Sequence, residues 1–163
     1  MCLVVDANVW FDLFCGNLHY RVLDLKPRVV AVDVVVAQLK HSPDGQALLQ
    51  QGLQVRTVDG EGVKKAYEWR TSNPCLEVPD VFSLALAWRN GWQLATRDGS
   101  LRALAEEEGI AVLNTCHVLS LMAGSSLLRE IDLICFKREM SKQNRPYLRS
   151  QMRDVERIVK AGN

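Results

Sequence analysis

Short apolar runs alternate with amphipathic stretches along most of the chain. Leu3-Val4-Val5 reads as a buried strand that stops at Asp6, and residues 9–13 begin a helix. Residues 17–27 are a helical or looped connection. The run 29–32 is a second strand. Asp33 then caps a helix that lasts through Lys40 and stops near Ser42-Pro43-Asp44-Gly45. Residues 46–51 form a short helix closed by Gly52, 53–57 alternate like a strand, and 62–72 are amphipathic. Pro79 opens a helix over 80–89, closed by Gly91. Val81, Phe82, Leu84, Ala85, Leu86, Ala87 and Trp88 leave that helix almost no polar face, which predicts burial between layers. A strand at 92–96, a helix at 100–108 and a strand at 110–113 follow. After Gly124 the pattern is helical only, with helices expected over 127–140 and 145–161. Strands alternating with helices through short connections predict an α/β domain, a parallel sheet with helices on both faces, over residues 1–124. Residues 125–163 are expected to be a helical extension packed on it.

Composition fits a globular domain, with 48% hydrophobic and 24% charged residues over 163 positions. No apolar run approaches the roughly 18 residues that a membrane span needs. The opening Met1-Cys2-Leu3-Val4-Val5-Asp6 puts an acid where a secretory leader would stay apolar. Cys2, Cys15, Cys75, Cys116 and Cys135 are odd in number and widely spaced. They fit reduced thiols in a cytoplasmic protein and argue against zinc, as do the scattered His19, His41 and His117. The net charge of +1 conceals an asymmetry: residues 126–163 hold nine bases against five acids, so the rest is acidic. A basic end on an acidic body suits an anionic partner.

In open parallel sheets ligands sit beyond the carboxyl ends of the strands. Asp6 follows the first strand, Asp98 lies two residues beyond Thr96 at the end of a later one, and Asp80 opens the apolar helix. Taken singly, Asp80 could serve a helix dipole, Asp98 could cap a helix and Asp6 could satisfy loop amides. Three carboxylates meeting at one edge would repel one another unless a cation sat between them. Hard oxygen donors select Mg²⁺ or Mn²⁺. Such ions activate water and stabilise phosphoryl oxygens.

Val4-Val5-Asp6-Ala7-Asn8-Val9-Trp10 resembles the opening strand motif of PIN domains. Pro79-Asp80-Val81-Phe82-Ser83-Leu84-Ala85-Leu86-Ala87 is similar to their central helix, and Leu94-Ala95-Thr96-Arg97-Asp98-Gly99-Ser100-Leu101 to their third acidic motif. The motifs stand in family order over roughly residues 1–123. The resemblance, with PIN-like nucleases of the VapC-toxin-like kind, implies a three-layer sandwich and a Mg²⁺- or Mn²⁺-dependent ribonuclease. Such proteins are often the toxin half of a toxin–antitoxin pair. On it Asp6, Asp80 and Asp98 hold the metal and are catalytic, while Asn8 and Thr96 position water or ligands around them. Gln38 departs from the family, which places a Glu there. The site is then short of one charge unless Glu61, Glu68 or Glu77 compensates. The alternative is a weakened PIN-like domain that binds RNA or a protein without cutting.

Other chemistries fit less well. A dehalogenase-like phosphatase would need an acid where Asn8 stands. The chain carries neither a Gly-x-Ser-x-Gly turn nor a phosphate-cradling GxxxxGK[ST] loop. In the tail, Arg145, Arg149, Arg153 and Arg157 recur every four residues beside an apolar stripe of Leu148, Met152, Val155 and Val159. This is either a solvated amphipathic helix or, with Arg97, a surface for RNA or for an acidic antitoxin-like protein. A homodimer is a further possible assembly.

Overall fold

The structure is a computed structural model that describes residues 1–145, Tyr147 and 149–162. Five parallel strands form its centre: β1 (Cys2–Val5), β2 (Arg28–Val32), β3 (Gln54–Arg56), β4 (Gln93–Ala95) and β5 (Val112–Leu113). Their spatial order is β3-β2-β1-β4-β5, so the chain starts in the middle and the direction of winding reverses there. β1 pairs with β2 through Leu3↔Val29 and with β4 through Leu3↔Gln93. Leu3, Val4 and Val5 are fully buried because both faces of a parallel sheet carry helices.

The helices among the described residues are α1 (Ala7–Cys15), α2 (Asp33–Leu39), α3 (Pro43–Gln50), α4 (Gly60–Ser72), α5 (Val78–Asn90), α6 (Gly99–Glu107), α7 (Thr115–Gly124), α8 (Glu130–Lys142) and α9 (Arg149–Ala161). Helix α5 lies against β1, β2 and β4, with Val81, Leu84, Ala85 and Ala87 wholly buried, as its apolar sequence predicts. Each such Val or Leu contributes about 1.5–3 kcal/mol. Gly91 ends α5 at φ 62°, a left-handed conformation that a Cβ would strain.

Three elements differ from the sequence pattern. Helix α3 begins where a stop was expected, because the Ser42 hydroxyl accepts from Gly45 N at 3.1 Å and Pro43 suits a first helical position. Helix α7 was not anticipated; Asn114 caps it through the His117 amide at 2.9 Å. The last helix starts at Arg149 rather than Arg145, after Asn144 turns left-handed at φ 52°.

Beyond Gly124 the chain remains attached to the same core. Helix α8 packs on α1 and α9 packs on α7. Phe136, Met140, Met152, Val155 and Val159 join one continuous apolar cluster with the sheet. Leu148, the first residue of the expected apolar stripe, lies outside the described residues.

Candidate metal centre

The sheet edge at the carboxyl ends of β1 and β4 collects the acids. Asp6 continues β1, donating its amide to Ala95 O at 3.0 Å, and is 1% exposed. One carboxylate oxygen accepts from the Ala7 amide at 2.8 Å and so caps α1, while the other accepts from the Thr96 hydroxyl at 3.0 Å. Thr96 is itself wholly buried, and its oxygen accepts from the Asp98 amide at 3.1 Å. A single hydroxyl thus ties the end of β1 to the turn after β4. Asp98 caps α6, its Oδ1 accepting from Leu101 N at 2.7 Å. Asp80, in the first turn of α5, accepts from the Glu77 amide on Oδ2 at 2.7 Å. All three acids therefore perform the structural roles that sequence suggests for them singly. Each of Asp80 and Asp98 spends only one oxygen in doing so.

The protonation equilibria of Asp6 and Asp80 register a shared field. Burial, then the charge of Asp80, and more weakly that of Asp98, lift the Asp6 carboxyl from 3.8 to about 6, against the bonds from Ala7 and Thr96. The Asp80 carboxyl is raised by burial first, and by the charges of Asp98 and Glu77. Like charges that cannot escape into solvent raise one another in this way. Yet no three His, Cys, Asp or Glu side chains among the described residues stand close enough to ligate one ion directly. The donor set fits an ion held by one or two carboxylates that keeps part of its water shell, which is how Mg²⁺ ordinarily binds.

Helix α2 carries Gln38 and packs on α5, the helix of Asp80. The Gln38 side-chain oxygen is buried without a hydrogen-bond partner, as is the Ser83 hydroxyl one turn beyond Asp80. Of the acids offered as compensation, Glu77 is the one whose charge Asp80 feels. Glu61 pairs with Arg89 at 3.1 Å, and Glu68 is exposed. Asn8 is exposed, and its backbone oxygen accepts from Arg145 at 3.4 Å.

Two residues expected as partner contacts lie beside a buried acid. Arg97 and Arg145 both bond Asp12, at 3.1 and 2.7 Å. Asp12 is wholly buried and also accepts from the Thr115 hydroxyl at 2.7 Å and the Tyr147 hydroxyl at 2.5 Å. The Arg97 guanidinium lies 4.5 Å from the centre of the Tyr147 ring. A buried carboxylate needs such partners, and both arginines supply one while staying partly exposed. The Tyr147 hydroxyl is held well above its ordinary range by burial and then by Asp12. The arginine ladder is consequently Arg149, Arg153 and Arg157 on α9. All three are exposed, and Arg157 pairs with Asp154 at 2.9 Å. Asp12, Thr115 and Tyr147 were missed by sequence reasoning. The signal available was an acid inside the apolar run Val9-Trp10-Phe11-Asp12-Leu13-Phe14.

No family model matches the chain, and no curated protein does. Among solved structures it is similar to a PilT N-terminus (PIN) domain protein from the hyperthermophilic archaeon Sulfolobus solfataricus. The TM-score is 0.51 at 18% identity, over 78% of this chain and 94% of that one. It is also similar to a toxin–antitoxin complex from Klebsiella pneumoniae, with a TM-score of 0.51 at 20% identity over 69% of this chain and 97% of that one. With the central parallel sheet, its two helical layers and the order β3-β2-β1-β4-β5, these likenesses identify the fold of the chain as the PIN-like three-layer α/β sandwich.

Proposed function

We propose that the chain is a Mg²⁺- or Mn²⁺-dependent ribonuclease of the PIN-like type, acting in the cytoplasm. The observation that carries the reading is Asp6: a carboxylate 1% exposed, fixed by Thr96, and burdened by the charges of Asp80 and Asp98 from two other elements. A divalent ion relieves that repulsion, and when bound it supplies an activated water and charge stabilisation for a phosphodiester. The chain's own part is to hold the donors. Thr96 fixes the Asp6 oxygen through its hydroxyl and the Asp98 turn through its lone pair. The first turn of α5 fixes Asp80 through the Glu77 amide. Ala7 N and Thr96 leave Asp6 little freedom to rotate, so the oxygens are set before a ligand arrives.

Purified protein incubated with structured RNA should cleave it with Mn²⁺ and stop with EDTA, and Asp80→Asn or Asp98→Asn should abolish cleavage. Cleavage that survives EDTA, or none with Mn²⁺, overturns the reading. Gln38 supports a second one, since a neutral oxygen in place of a carboxylate weakens the hold on a hard cation. In that case the domain binds RNA or a protein without cutting it. The Klebsiella likeness motivates an antitoxin-like acidic protein as partner for the α9 arginines. Ile131 and Ile134, each 55% exposed on α8, offer a surface for a second copy.

A further inference from the structure

The Asp12 cluster is larger than an ion pair requires. One buried carboxylate faces two guanidiniums, so the group carries a net charge of +1, and both arginine side chains keep about a third of their surface in solvent, 27% and 30%. Arg97 lies between Thr96 and Asp98 in the chain, and Arg145 reaches the backbone oxygen of Asn8, two residues from Asp6. Both are thereby tied to the segments that carry the acids. Each also has donors to spare. Arg97 bonds Asp12 through Nη1, and Arg145 reaches Asp12 and the Asn8 oxygen through Nη2. The remaining N–H groups of a guanidinium fork match a phosphate. Beside Arg145 opens a cavity of about 250 Å³ walled by Phe11, Phe14, Cys15, Asp44 and Gln143. Aromatic walls next to a cation suit a nucleobase attached to that phosphate.

We propose that Arg97 and Arg145, pre-organised by Asp12 and Tyr147, form a phosphate-binding subsite for single-stranded RNA at the rim of the acidic centre. Phe11 and Phe14 receive the adjoining base. Asp12 and Tyr147 are positioning residues: they aim the two guanidiniums and limit the side-chain entropy that binding would otherwise cost. The residues beyond Gly124 then do more than cover the core, because Arg145 and Tyr147 complete a site begun by α1 and the turn after β4. The proposal rests on the ribonuclease reading for its choice of ligand, but not on turnover.

The test is fluorescence anisotropy of a short labelled single-stranded RNA with Ca²⁺, an oxygen-seeking cation, titrated at several salt concentrations. Arg97→Ala and Arg145→Ala should each weaken binding by about tenfold and flatten the salt dependence by about 0.7 of a unit of slope. Lys64→Ala, which removes an exposed cation elsewhere, should change neither affinity nor slope. Arg145→Lys keeps the charge near Asp12 but loses the fork, so it should fold normally and still bind less well. Tyr147→Phe should weaken affinity while leaving the salt slope unchanged, as a residue that only aims the arginines would. Unchanged affinity and slope in the well-folded Arg145→Lys and Arg97→Ala proteins overturn the proposal, and so does a wild type that does not bind RNA. Arginine-dependent binding without Mn²⁺-dependent cleavage would sink the nuclease reading and leave the subsite standing.

Discussion

Replacing Asp6 by Asn should stabilise the metal-free protein at neutral and alkaline pH. The Asp6 carboxyl moves from 3.8 to about 6 on folding. The folded state therefore binds its proton more tightly than the unfolded state does. Between those two values stability falls as pH rises, and above about 6 the whole cost is present. At about 1.4 kcal/mol per pH unit, that cost is about 3 kcal/mol. Asn carries no charge to bury, and its amide can still face the Thr96 oxygen. Mismatched hydrogen bonding should return about 1 kcal/mol of the gain. Asp6→Asn should then exceed wild type by about 2 kcal/mol in urea unfolding with EDTA near pH 8, and lose that advantage near pH 4. The difference between the two proteins is the quantity to read. Asp132, Glu139 and Glu156 are lowered by their cationic neighbours and tilt both curves the opposite way. Saturating Mn²⁺ should reverse the ranking, since an ion at about a hundred times its Kd adds about 2.7 kcal/mol to the form that binds it. An Asp6→Asn protein less stable than wild type near pH 8 in EDTA would refute the reasoning, because the buried charge would not then be a burden.

Gln38→Glu should tighten Mn²⁺ binding by on the order of tenfold in calorimetric titration, since charge count tunes a hard-cation site. Unchanged affinity would place Gln38 away from the ion. Met152→Ala should cost about 2–5 kcal/mol in urea unfolding, while Arg149→Ala on the exposed side of the same helix should stay within about 0.5 kcal/mol. Asp12→Ala, which strands two arginines, should cost about 3–5 kcal/mol, and Tyr147→Phe about 1 kcal/mol. Comparable losses for the two would mean that the hydroxyl, rather than the charge, holds the cluster.

The centre of the sheet was legible because β1 and β2 are short apolar runs with clear stops, and α5 because its apolar residues admit only burial. Asp6 and Asp98 were legible as acids at strand ends, and Asp80 as the acid that opens the apolar helix. Helix α7 was not legible: His117 and Asn114 close its first turn locally, and hydrophobic periodicity carries no trace of a cap. The boundary of α9 was misread because arginines every four residues continue across Arg145, although the backbone has already turned at Asn144. That spacing suggested one ladder where the fold makes two groups, one exposed on α9 and one clasped by Asp12. No periodicity reveals such a clasp, since its other members lie 85 to 135 positions from Asp12 in the chain.

Helix α1 carries both charge centres, and their imbalance has opposite sign. At its N-terminus Asp6 stands with Asp80 and Asp98, whose charges raise the Asp6 carboxyl. A turn and a half later Asp12 stands with more cationic charge than it can neutralise. Neither group could be exchanged for the other: pairing Arg97 with Asp98 instead of Asp12 would quench the acidic edge and strip the buried Asp12 of one of its two cationic partners. The buried position of Asp12 therefore keeps Arg97 from collapsing onto its sequence neighbour. A fold that needed only stability would have paired the charges locally. Holding an anion-poor and an anion-rich centre apart on one helix suits a ligand that brings its own cation and phosphate together, which is the form in which RNA meets a divalent metal.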